Sequence, residues 1–125
     1  ANRSPDKART LAAEFADLAA LTPCALDELA GMAFDVVVNA TSASLAGAQL
    51  SLPATVFTAG CLAYDMMYGR GETPFLAQAR SQGAGRLADG LGMLVEQAAE
   101  AFALWRGVRP ATAPVLAALR AQLAA

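Results

Sequence analysis

The chain has 125 residues, 56% of them hydrophobic and 16% charged, which is ample material for one buried core and one domain. A formal charge of −2 with a pI near 4.9 leaves no broad basic surface to track a phosphate backbone, so nucleic acid is not expected as a partner. With no histidine, and with two cysteines, Cys24 and Cys61, in no CxxC pairing, the usual zinc ligand sets and the Cys/His nucleophile pair are excluded, and no metal site is expected.

Both cysteines read as small core residues in a reducing cytoplasm. Apolar stretches such as Met32 to Val38 are far shorter than a membrane span, and no basic leader precedes an apolar segment near the start. The expectation is a soluble, cytoplasmic protein without membrane contact. The lack of histidine also removes the usual proton donor of alcohol and carbonyl redox chemistry, so no catalytic residue is expected in this chain.

Ser4 as N-cap, Pro5 at the first helical position and Asp6 at the positive end of the dipole open a helix almost at residue 1. Its apolar positions Leu11, Phe15 and Leu18 follow i, i+4, i+7 and call for a sheet to cover them, and Thr22-Pro23 ends the pattern. A helix so close to the start, with no methionine and no strand before it, reads as a chain entered in the middle of a fold. Phe34 to Val38 is a β-branched run too short for a helix, as in a buried parallel strand, and it leads into the polar loop Asn39 to Ser44. Leu50 to Thr58 is ambiguous, because Gly47 and Pro53 break any long element. A second strand is expected over Cys61 to Tyr64, and Thr73-Pro74 opens a helix that runs to about Gln82 before Gly83 and Gly85.

From Gly90 to Arg106 the residues Leu91, Leu94, Val95, Ala98, Phe102 and Trp105 form one apolar stripe, with Asp89 at its N-terminus and Gly107 and Pro110 beyond its end. A last Ala/Leu-rich helix spans roughly Thr112 to Ala124. Helices alternating with short buried strands imply an α/β fold: a partial, Rossmann-like parallel sheet with flanking helices and C-terminal helices.

Four groups of residues stand where ligands bind such sheets. In dinucleotide folds the end of the second strand meets the adenosine ribose, and basic residues there accommodate a 2′-phosphate. Arg3 can fork onto phosphate oxygens, Lys7 lies one turn on, and Ser4 adds a hydroxyl beside free N–H groups; equally, many capped helices begin with basic residues. Asn39-Ala40-Thr41-Ser42 follows a strand at the ligand edge, or is a turn that satisfies its own backbone. Met66 can pack on a flat ring and Tyr68 can donate to a substrate oxygen, though both types serve more often in cores. At about 100° per residue, Gly90, Met93, Leu94 and Gln97 share one side of the long helix, which puts an amide beside an apolar stripe.

Taken together, NRSPDK near the start, NATSASL, YDMMYGRGETPFL and ADGLGMLVEQAAEAFALWRG resemble, in this order, the C-terminal half of the shikimate dehydrogenases. The resemblance implies NADP as cofactor, with Asn2, Arg3, Ser4 and Lys7 on the adenosine 2′-phosphate; Ser4 stands where the family's NRTxxK/R motif has threonine. It implies Thr41, Ser42, Met66, Gly90, Met93 and Leu94 on the nicotinamide side, and Tyr68 and Gln97 facing the substrate, shikimate or 3-dehydroshikimate. The family's GAGGA-type phosphate loop and the substrate domain with its catalytic lysine and aspartate have no counterpart in the chain. Residues 1–125 are therefore expected to be a truncated NADP-binding domain, inactive alone, from an enzyme of aromatic amino-acid biosynthesis that is compatible with a homodimer. Two other readings stay open: a quinate/shikimate dehydrogenase of the same superfamily, and a non-catalytic nucleotide-binding module.

Overall fold

The computed structural model describes residues 1–41 and 50–124. Helix α1 runs over Pro5–Glu14, with Pro5 pre-setting the first turn and Asp6 against the positive end of the dipole. Ser4 is the N-cap residue, but its side chain makes no capping bond; the carboxamide oxygen of Asn2 instead accepts the Ser4 N–H at 2.8 Å. The helix ends well before Thr22. Leu11, Phe15 and Leu18 stay 55%, 44% and 75% exposed, so the sheet cover expected for this stripe is absent among the described residues. A short helix without a packed apolar face has little to sustain further turns.

Three strands, β1 (Val36–Asn39), β2 (Leu62–Asp65) and β3 (Arg86–Asp89), form a parallel sheet in the order β1-β2-β3. In register, Val37, Ala63 and Leu87 lie side by side, and so do Asn39, Asp65 and Asp89. Helix α2 (Pro74–Ser81) crosses from β2 to β3. It starts where Thr73-Pro74 placed it, the Thr73 hydroxyl accepting the Leu76 N–H at 3.3 Å.

Phe75, Leu76 and Ala79 of α2 close over Ala63 and Cys61, with Val37 and Leu87 beside them. Val56 and Phe57, in and after a short 3-10 turn over Ala54–Val56, complete this core, and the Phe57 ring meets Phe75 edge-on at 6.0 Å. The ambiguous segment thus supplies core residues, and Cys61 is fully buried while Cys24 is only half-buried. Side chains alternate across a strand, so Val36 and Val38 point away from this core and remain 52% and 55% exposed. β1 is parallel as expected, but it is buried on one face only.

Helix α3 (Leu91–Arg106) ends at Gly107, whose φ of 70° is the left-handed conformation of a helix stop. Its buried stripe is Leu91, Val95 and Ala99, narrower than the sequence suggests, and Phe102 and Trp105 are exposed. Length explains this: a 16-residue helix spans roughly 24 Å, whereas a 4-residue strand spans roughly 13 Å. Helix α4 (Thr112–Ala124) folds back on α3 across an apolar seam that includes Leu94, Ala98, Val115 and Leu119.

Candidate functional site

Each strand ends in a polar residue, and the three lie in one row along the carboxyl edge of the sheet. Open α/β sheets bind ligands at this edge. Asn39 and Asp65 are buried and joined, the Asn39 amide nitrogen donating to Asp65 Oδ1 at 3.0 Å. Asp65 also accepts the Met67 N–H at 3.1 Å and, through Oδ2, the Thr73 hydroxyl at 2.6 Å. The other side of the Asn39 amide, Oδ1, accepts the backbone N–H of Thr41 at 3.0 Å and its hydroxyl at 2.8 Å. Sequence reasoning named Thr41 and Met66 but assigned nothing to Asn39 beyond its loop, nothing to Asp65, and to Thr73 only the start of a helix. The signal was a polar residue closing each strand, readable only once strand ends are known.

Asp89, the third member of the row, accepts the Leu91 N–H at 3.1 Å and so caps α3, while Arg120 of α4 grips both its oxygens at 2.5 Å. The Arg120 guanidinium holds the Asp89 carboxyl below the usual aspartate range, against the opposing pull of partial burial. Arg120 is raised in turn by the same contact.

Gly90 begins α3 directly beyond this row. A Cβ there would stand 2.0 Å from the Met66 carbonyl oxygen, and the Gly90 N–H donates to Met67 O at 3.1 Å. The close approach at Gly90 therefore serves the Met66-Met67 turn, which brings Met66, Gly90 and the first turn of α3 together. Met93 and Met66 are partly exposed there, and Leu94 is half-buried towards the α4 seam.

Tyr68 is 40% exposed, on a loop whose residues Met67 to Pro74 line a shallow concavity. Gln97 is exposed on α3, and no hydrogen bond of the described residues joins it to Tyr68. Asn2 is tied by its N–H to Cys24 O at 3.2 Å, and a groove runs from Ala1 past Cys24, Val36 and Val38 to Asn39 and Thr41. Arg3 and Lys7 are exposed and pair with no carboxylate among the described residues. Ser42 lies outside the described residues. Among those described, no cluster of side chains could hold a metal ion, and no helix is long and apolar enough to cross a membrane.

Residues 90–120 match the family model of the shikimate 5′-dehydrogenase C-terminal domain. Over all 125 residues the chain is 67% identical to the NADP(+) shikimate dehydrogenase of Dechloromonas aromatica, of which it covers 46%. Among solved structures it superposes on an Ael1 enzyme from Pseudomonas putida with a TM-score of 0.84 and 54% identity, covering 98% of this chain and 43% of that one. A shikimate 5-dehydrogenase of Thermus thermophilus, solved with NADP(H) and shikimate, superposes with a TM-score of 0.76 at 33% identity, covering 95% of this chain and 43% of that one. The chain thus spans under half the length of these relatives, yet it matches them from end to end and in three dimensions: it belongs to the shikimate dehydrogenase family.

Proposed function

We propose that this chain is the NADP-binding part of a cytoplasmic, NADP-dependent shikimate dehydrogenase that interconverts shikimate and 3-dehydroshikimate in aromatic amino-acid biosynthesis. The observation that carries this reading is the 67% identity along the whole chain to a relative of that name. The remaining length of such an enzyme supplies the phosphate loop and the lysine and aspartate that move the proton.

The residues of this chain suit the cofactor. Arg3, Lys7 and the Ser4 hydroxyl surround the N-terminus of α1, and the Ser4 hydroxyl is not used in capping. A guanidinium, an ammonium and a helix N-terminus together are a strong set for a phosphate dianion. Met66 and Met93 offer apolar surface to a flat ring beside the turn at Gly90, with Leu94 behind them and Thr41 and Ser42 supplying hydroxyls. NADP supplies the hydride acceptor when bound; these residues bind and orient it. Tyr68 and Gln97 reach past the ring to hold substrate hydroxyls.

Steady-state kinetics of the complete enzyme test the reading. Shikimate with NADP+ is the expected pair, with quinate and NAD+ turned over poorly. Gln97→Ala and Tyr68→Phe should each lower kcat/KM for shikimate by about 1 to 3 kcal/mol while leaving NADP+ affinity unchanged. Equal turnover of quinate, or shikimate kinetics indifferent to both substitutions, contradicts it.

A further inference from the structure

Asp65 sits at the centre of the polar row with no exposed surface, and at least three donors, the Asn39 amide, the Met67 N–H and the Thr73 hydroxyl, converge on it. A carboxylate can only accept. It therefore selects which end of the Asn39 amide faces it: the NH2 turns to Asp65, and the carbonyl oxygen turns to Thr41. That oxygen takes both the N–H and the hydroxyl hydrogen of Thr41. The Thr41 hydroxyl hydrogen is thereby directed inward, to Asn39.

On the other side Asp65 holds the Met67 N–H, and Met67 O holds the N–H of Gly90, so the turn carrying Met66 and the start of α3 hang from the same carboxylate. Resting on the functional reading above, we propose that Asp65 is a positioning residue for the nicotinamide side of the site. It acts through Asn39 to orient the Thr41 hydroxyl, and through Met67 to set the Met66 turn.

Asp65→Asn keeps the size but lets the side chain donate as well as accept, so it no longer dictates the Asn39 orientation. Asn39→Ala cuts the branch to Thr41 and leaves the bonds of Asp65 to Met67 and Thr73 in place. Amide hydrogen exchange on the 125-residue chain reads both branches without reference to activity. Asp65→Asn should cost the Thr41 and Met67 amides roughly tenfold or more in protection, the loss of a charge-assisted bond, while Asn39→Ala should expose Thr41 and spare Met67. Unchanged protection of Thr41 in either variant overturns the proposal; if Asp65→Asn does not fold, the Asn39→Ala result decides.

In the complete enzyme, Thr41→Val, Asp65→Asn and the double variant form a cycle on kcat/KM for NADP+. Each single variant should lose about tenfold, and the double should lose no more than Asp65→Asn alone. Adenosine 2′,5′-bisphosphate, which lacks the nicotinamide, should bind all of them equally. Losses that multiply, or weakened bisphosphate binding, would assign Asp65 a purely structural role. A wild-type enzyme inactive on shikimate would sink the functional reading, and the exchange result would still decide the positioning.

Discussion

A methyl group at position 90 would lie 2.0 Å from the Met66 carbonyl oxygen, a distance no packed pair of atoms sustains, and the obstacle is backbone. Gly92, two positions on in α3, has nothing within 4 Å of an added Cβ. The two glycines therefore separate a packing requirement from ordinary helix propensity. Gly90→Ala should destabilise by about 1 to 3 kcal/mol, the cost of forcing atoms into a packed junction. Gly92→Ala should stabilise by up to about 1 kcal/mol, because alanine is the better helix former. Urea unfolding curves of the two variants check this, and changes of the same sign would refute the packing account. Asp65 works at the same scale: one buried carboxylate aligns residues that hydrophobic periodicity could never have connected.

At the scale of elements, Asp89 ties β3 to the first turn of α3 and, through Arg120, to α4. Its carboxyl is held below the ordinary aspartate value, so the folded state binds its proton less readily than the unfolded chain does. The stabilisation is then complete above about pH 4, near the unfolded aspartate value, and is lost as pH falls further through the folded value. Arg120 stays protonated throughout this window. Removing the guanidinium by Arg120→Met should cost about 1 kcal/mol or less at neutral pH, since solvent screens its half-exposed side chain. The difference from the parent chain in thermal unfolding should shrink below pH 4; a difference that grows on acidification contradicts the assignment.

Element ends written in local chemistry are legible in the sequence. Thr73 followed by Pro74 opens α2, and Gly107 closes α3 in the left-handed conformation. β3 is not legible, because Arg86-Leu87-Ala88-Asp89 holds no β-branched residue and its tail resembles the start of the next helix. The α1 stripe misleads in the other direction: Leu11, Phe15 and Leu18 have helical spacing, but only tertiary cover could extend the helix through them, and they are exposed. For the site, the motifs locate Thr41, Met66 and Gly90. The bond that organises them, from Asn39 to Asp65, crosses 26 residues of sequence and leaves no local trace.

At the scale of the whole molecule, the chain has two unlike sides. Around α2 the sheet is packed to a fully buried core of Cys61, Ala63 and Ala79. Along Met32, Phe34, Val36 and Val38 it shows an open apolar groove that leads from Ala1 to Thr41. Ala1, two positions before Arg3 in sequence, and Asn39 of the polar row both line that groove. On the proposed reading, a dinucleotide along this edge meets Arg3 with its 2′-phosphate and the polar row with its nicotinamide. NADP recognition at Arg3 is thus the claim on which the reading of the molecule turns. Fluorescence titration of the complete enzyme with NADPH and with NADH, for the parent and for Arg3→Ala, measures it directly. The substitution should weaken NADPH by about 1.5 to 3 kcal/mol, the range for a hydrogen bond to a charged group, and leave NADH nearly unaffected; equal losses for the two cofactors would contradict the assignment.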